Sequence, residues 1–139
     1  MNSIFNKTSN GSSSLTQGTK DSSTNTTKVK IGTTTYTVPI LDSSLAYMTW
    51  QDTFENILDY EGLNKFLIKQ GLAGAPDLTE KGDGTGPSNG IDYKNNKQIK
   101  LALYLSTSTV NKKYIKKEHN AQETWEVLAD LMAQQSSTE

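Results

Sequence analysis

The chain contains no cysteine and a single histidine, His119. The first absence excludes a disulfide framework, a thiol nucleophile and cysteine-ligated zinc. The second leaves a histidine-built metal site without a second imidazole, so no metal or other cofactor is expected. No run of about 18 apolar residues, the length a membrane span needs, is present. The opening MNSIFNKTSNGSSS also lacks the apolar stretch of a signal peptide. The expectation is a cytoplasmic chain with no membrane partner. A dominant charge is missing too: 14 basic residues face 15 acidic ones, which gives no electrostatic reason to expect nucleic acid as the main partner.

Large apolar residues are scarce at the start. From Thr8 to Thr27 nearly every position is Ser, Thr, Asn or Gly, with Leu15 the only large apolar residue. Such a segment cannot bury enough surface to offset its ordering entropy, and residues 1–28 are read as a disordered tail. Asn-x-Ser/Thr triplets at Asn6, Asn10 and Asn25 follow from that composition and carry no signal of glycosylation. Roughly 110 residues remain, enough for one modest core.

The stretch KVKIGTTTYTVPIL alternates Val29 and Ile31 with lysines, and Tyr36, Val38 and Ile40 with threonines. This pattern predicts an extended lead-in or short β-hairpin over residues 29–43, turning at Gly32. Pro39 keeps the second half at an edge. From Ser44 to Tyr60 the apolar period lengthens: Tyr47, Trp50, Phe54, Ile57 and Leu58 form one stripe of an amphipathic helix. Leu63, Phe66, Leu67 and Leu72 suggest a short second helix ending near Gly71.

The Gly-rich segment 73–90 reads as a long exposed loop. Ile99, Ala102 and Leu103, flanked by Leu101 and Leu105, predict a well-buried third helix from Asp92 to Leu105. A short fourth helix capped by Ser108 would turn Val110, Tyr114 and Ile115 inward. Asn120 and Glu123 have capping-box spacing for a fifth, whose stripe is Trp125, Leu128, Ala129 and Met132. The predicted architecture is mostly α: a bundle of about five helices over residues 44–135.

Candidate chemistry is thin. GDGTGPSNG lacks the Gly-Lys-Ser/Thr ending of a phosphate loop. It also places Pro87 and Lys94 where a calcium loop needs an oxygen ligand and its closing glutamate. Asp52, Glu55 and Asp59 lie on the helix face opposite Trp50 and Phe54, where carboxylates stay solvated, not in the buried setting acid–base catalysis requires. Ser106, Ser108 and His119 show no nucleophile–base arrangement. Lys112, Lys113, Lys116 and Lys117 form the one basic cluster, with Tyr114 between them as a base-stacking candidate; a solvated lysine face is the plainer reading. Trp50 and Trp125 fit helix stripes and are expected in the core.

The ordered motifs LDSSLAYMTW, FENIL and IKLALYLSTSTVNKKYIKKEHNAQETWEVL resemble the N-terminal part of the Gag polyprotein of Copia-type LTR retrotransposons. In that family Leu-Asp-Gly-Ser-Asn-Tyr-x-x-Trp opens the first helix, and an Ala-x-Glu-x-Trp-x-x-Leu helix follows a helix ending in Leu-Ser. Leu41, Asp42, Ser44, Tyr47 and Trp50 match the first motif; Leu105, Ser106, Ala121, Glu123, Trp125 and Leu128 match the second. The signature's glycine and asparagine are missing, and one residue is added before Tyr47.

The resemblance implies a capsid-like structural domain, with Phe54 completing the signature core, that self-associates weakly into virus-like particles. It also implies further helices and often a zinc knuckle downstream, so a truncated Gag is expected here. Partners would be other copies of the chain or of Gag, or a host protein. The competing reading is a domesticated helical interaction module anchored by exposed Leu72 and Val127, with RNA binding through the lysine cluster a third. No enzyme activity is expected.

Overall fold

A two-residue turn at Gly32 and Thr33 folds the start of the domain back on itself. The computed structural model describes residues 25–79 and 90–137. Strands β1 (Thr26–Ile31) and β2 (Thr34–Pro39) pair antiparallel, in register from Thr26 opposite Pro39 to Ile31 opposite Thr34. Gly32 has φ 65°, the left-handed conformation that tight hairpin turns use. Val29, Ile31 and Val38 face inward, as their alternation with lysine and threonine requires. Thr26, Thr27 and Lys28 therefore belong to the hairpin and not to the predicted tail; residues 1–24, the rest of that expectation, lie outside the described residues.

Helix α1 spans Ser44–Glu61 and buries Trp50, Phe54, Ile57 and Leu58. It stops at Gly62, φ 74°, where the Leu63 N–H reaches the Leu58 carbonyl at 2.8 Å and the Gly62 N–H reaches that of Asp59 at 3.1 Å. This is the left-handed cap that glycine adopts at least cost. The predicted second helix is a correction: only a 3₁₀ turn, Asn64–Leu67, forms. Glycines at 62 and 71 leave too short a run to nucleate an α-helix, so Phe66 alone is buried and Leu72 is 61% exposed.

Helix α2 (Ile91–Leu105) follows, then the single turn α3 (Thr109–Lys112) and helix α4 (Ala121–Ser137). The described residues thus hold four α-helices and not five. Ten residues of the expected Gly-rich loop, 80–89, lie outside the described residues. The predicted Asn120–Glu123 capping box forms in both directions: Glu123 N–H to Asn120 Oδ1 at 2.7 Å, and Asn120 N–H to Glu123 Oε1 at 2.9 Å. Ser108 precedes α3 as expected, but its hydroxyl makes no capping bond.

The hairpin lays β1 on α2 and β2 on α1, while α4 packs on α1, α2 and the 3₁₀ turn. The core between these elements includes Ile31, Val38, Leu41, Trp50, Phe54, Ile99, Leu103 and Leu128. Gln98 fixes the hairpin to α2 by bracketing Gly32: its Oε1 accepts the Gly32 N–H at 3.0 Å and its Nε2 donates to the Gly32 carbonyl at 3.1 Å.

Four predicted burials are corrected by this arrangement. Leu101 and Leu105 are 55% and 43% exposed, because neighbours cover only the Ile99–Ala102–Leu103 side of α2. Val110 and Tyr114, at 71% and 41% exposed, turn outward as well, since α3 is a single turn that buries Asn111 instead.

Candidate functional site

Leu41 sits between β2 and α1 with its side chain fully buried. Its backbone N–H donates to the Ser106 carbonyl at 2.7 Å, and its carbonyl accepts the Ser108 N–H at 3.0 Å. The two bonds form an isolated parallel bridge between Leu41 and Thr107, joining the start of the first motif to the start of the second. The Asn111 amide, itself buried, adds a long contact from Nδ2 to the Leu41 carbonyl at 3.4 Å.

A second tie runs through the side chains. The Trp50 indole Nε1–H donates to Ser106 Oγ at 3.0 Å, and that hydroxyl donates on to the Leu103 carbonyl at 3.1 Å. Thr107 Oγ1 donates to the same carbonyl at 2.7 Å. The Trp50 N–H and the Ser106 and Thr107 hydroxyls are therefore all partnered where they are buried, the condition for burying them without a large desolvation cost. Trp50 also stacks on Trp125, with ring centroids 5.2 Å apart and planes at 23°, and touches Phe54 at 5.0 Å and Tyr47 at 6.2 Å.

The structure thus gathers Leu41, Tyr47, Trp50, Phe54, Trp125 and Leu128 at one seam. Trp50 is enclosed, whereas Trp125 and Tyr47 are half-buried. Trp125 is thus a lid over the first indole and not a fully internal anchor. Asp42 is exposed just outside the seam, and Leu105 faces outward, so its place in the motif is not a core role. Ser106, Thr107 and Asn111, the buried polar groups that close the seam, have no periodicity that would announce them. Only the Leu-Ser pairing in the second motif pointed near them.

The candidate chemical groups are dispersed. Asp52, Glu55 and Asp59 are exposed along α1 as expected. His119 is half-buried in a turn, its Nδ1 accepting the Lys116 N–H at 3.0 Å. Among the described residues no three His, Asp or Glu side chains group as metal ligands would, and no helix is long and apolar enough to cross a membrane.

The lysine cluster does not form the helix expected of it. Lys112 ends α3, while Lys113, Lys116 and Lys117 lie in the turns that follow. Lys112 Nζ stands 5.2 Å from the Tyr104 ring and Lys113 Nζ 5.3 Å from the Tyr114 ring. The Lys116 and Lys117 carbonyls accept Lys100 Nζ at 2.7 and 2.9 Å. Burial holds the Lys100 ammonium below the ordinary lysine range, against the pull of Glu118 and Glu123. Val127, named as an exposed anchor, is half-buried.

Two tyrosines titrate above their usual range. Tyr36 does so because its hydroxyl donates to the Glu61 carboxylate. Tyr47 is raised first by burial, then by the charges of Glu55 and Asp130. No protein-family model, curated protein or solved structure matches this chain.

Proposed function

We propose that the chain is a structural building block, a capsid-type domain of a Copia-type Gag whose work is to associate with copies of itself in the cytoplasm. One observation carries the reading. The residues of the two Gag-like motifs, separated by more than 50 positions, meet in a single seam through the Leu41–Thr107 bridge and the Trp50–Ser106 bond. Those residues join one part of the fold to another. The outer surface of such a unit is what symmetry-repeated weak contacts can use.

Sedimentation velocity over a concentration series, with electron microscopy of the most concentrated sample, tests the proposal. Concentration-dependent species larger than the monomer are expected. A strictly monomeric chain at every concentration would refute it.

RNA contact is the second reading, favoured by one observation: Tyr114 is exposed beside Lys113 instead of buried. An exposed ring among lysines can stack a base while the ammonium groups hold phosphate. Affinity for single-stranded RNA that falls steeply with added salt, and falls again in Tyr114→Ala, is the result this reading requires.

A further inference from the structure

The outward faces of α1 and α2 are complementary in an unusual order. Along α1 the exposed stripe runs Leu45, Met48, Asp52, Glu55: two apolar residues, then two acidic. Along α2 it runs Lys94, Lys97, Leu101, Tyr104: two basic residues, then two apolar. Both stripes share the same spacing of three, four and three residues, the interval that keeps side chains on one helical face. Neither apolar pair is covered, with Leu45 at 87%, Met48 at 71%, Leu101 at 55% and Tyr104 at 39% exposed.

We propose that α1 of one copy docks antiparallel on α2 of a second copy. In a single register Leu45 faces Tyr104, Met48 faces Leu101, Asp52 faces Lys97 and Glu55 faces Lys94. The reverse orientation sets leucine and methionine against lysines and carboxylates against apolar groups. Pairing α1 with α1 antiparallel opposes apolar groups to acids, and pairing α2 with α2 antiparallel opposes them to lysines; parallel pairing of either with itself opposes like charges. Of these arrangements only the antiparallel α1-to-α2 contact satisfies every position.

The contact joins unlike surfaces. Each copy offers the two stripes on different helices whose inner faces are occupied by the core. A copy bound through α1 to one neighbour and through α2 to another builds rings or chains, and two copies that exchange both contacts close a two-fold dimer. Four residue pairs bury less than a stable dimer interface requires, so the isolated contact is weak and gains strength from repetition. This inference rests on the self-association proposed above and names the surfaces that carry it.

Charge reversal tests it on the full chain. The variants are Asp52→Lys with Glu55→Lys, Lys94→Glu with Lys97→Glu, and all four together. Each is checked for folding by near-ultraviolet circular dichroism of the stacked indoles and measured by sedimentation velocity. Each double variant should associate about tenfold more weakly than wild type or worse. The fourfold variant, and an equal mixture of the two double variants, should recover association. Double variants that associate like wild type would overturn this contact while leaving self-association standing, as would a fourfold variant no better than the doubles. A monomeric wild-type chain would overturn both.

Discussion

Replacing Trp50 by phenylalanine removes one hydrogen bond and part of one ring from the middle of the fold. The indole is 0% exposed and its N–H donates to Ser106 Oγ at 3.0 Å. Losing a buried neutral hydrogen bond costs about 1 kcal/mol, and the space left by the smaller ring adds about 1–2 kcal/mol. Trp50→Phe should therefore destabilise by about 2–3 kcal/mol and Trp50→Ala by about 3–5 kcal/mol. A domain of this size has only about 5–15 kcal/mol to lose.

Trp125→Ala is the internal control. That ring is half-buried and its main contact is the stack on Trp50, which sets its loss at about 2 kcal/mol. Ser106→Ala completes a double-mutant cycle with Trp50→Phe, and a coupling of about 1 kcal/mol is expected. Urea unfolding followed by far-ultraviolet circular dichroism measures all of these as midpoint shifts at constant slope. A coupling of zero would show that the Trp50–Ser106 bond does not hold the seam. A Trp125→Ala loss exceeding that of Trp50→Ala would show that the wrong ring has been placed at the centre.

Three further outcomes follow from local geometry. Gly62→Ala should cost about 1 kcal/mol in chemical denaturation, because φ 74° is strained for any side chain although nothing crowds the site. Asn120→Ala removes one arm of the capping box and should lower stability by about 1 kcal/mol, whereas Asn120→Asp should retain most of it. Raising the pH past 10.0, the ordinary tyrosine value, should destabilise the fold. Tyr36 and Tyr47 keep their protons longer folded than unfolded, so the unfolded chain binds fewer protons there and stability falls as pH rises. Spectrophotometric titration of the Tyr36→Phe and Tyr47→Phe variants should each remove an ionisation that comes later in the folded chain than in the urea-unfolded one, and loss of an ionisation with no such delay would contradict the assignment.

Much of the local structure was legible in the residues. The change from alternation before Pro39 to helical spacing after Ser44 located the hairpin and α1, and the Asn120–Glu123 spacing located the start of α4. These features depend on neighbours a few positions apart, which the chain order states directly. The second predicted helix failed for a local reason as well: glycines on both sides left Phe66 only a 3₁₀ turn in which to be buried.

What the sequence determined by itself is therefore most of the elements, the Asn120–Glu123 cap of α4 and the inner stripe of α1. Only the tertiary structure decided which flank of α2 is covered, so that Ile99 and Leu103 are enclosed while Leu101 and Leu105 face outward. It alone also decided that Ser106, Thr107 and Asn111 are internal. The physical reason is the same in each case. Burial depends on what arrives from a distant part of the chain: Leu41 and Trp50 cover this turn and bond to it, while the Ser106 and Thr107 hydroxyls find the Leu103 carbonyl close by, so the polar groups are buried at low cost.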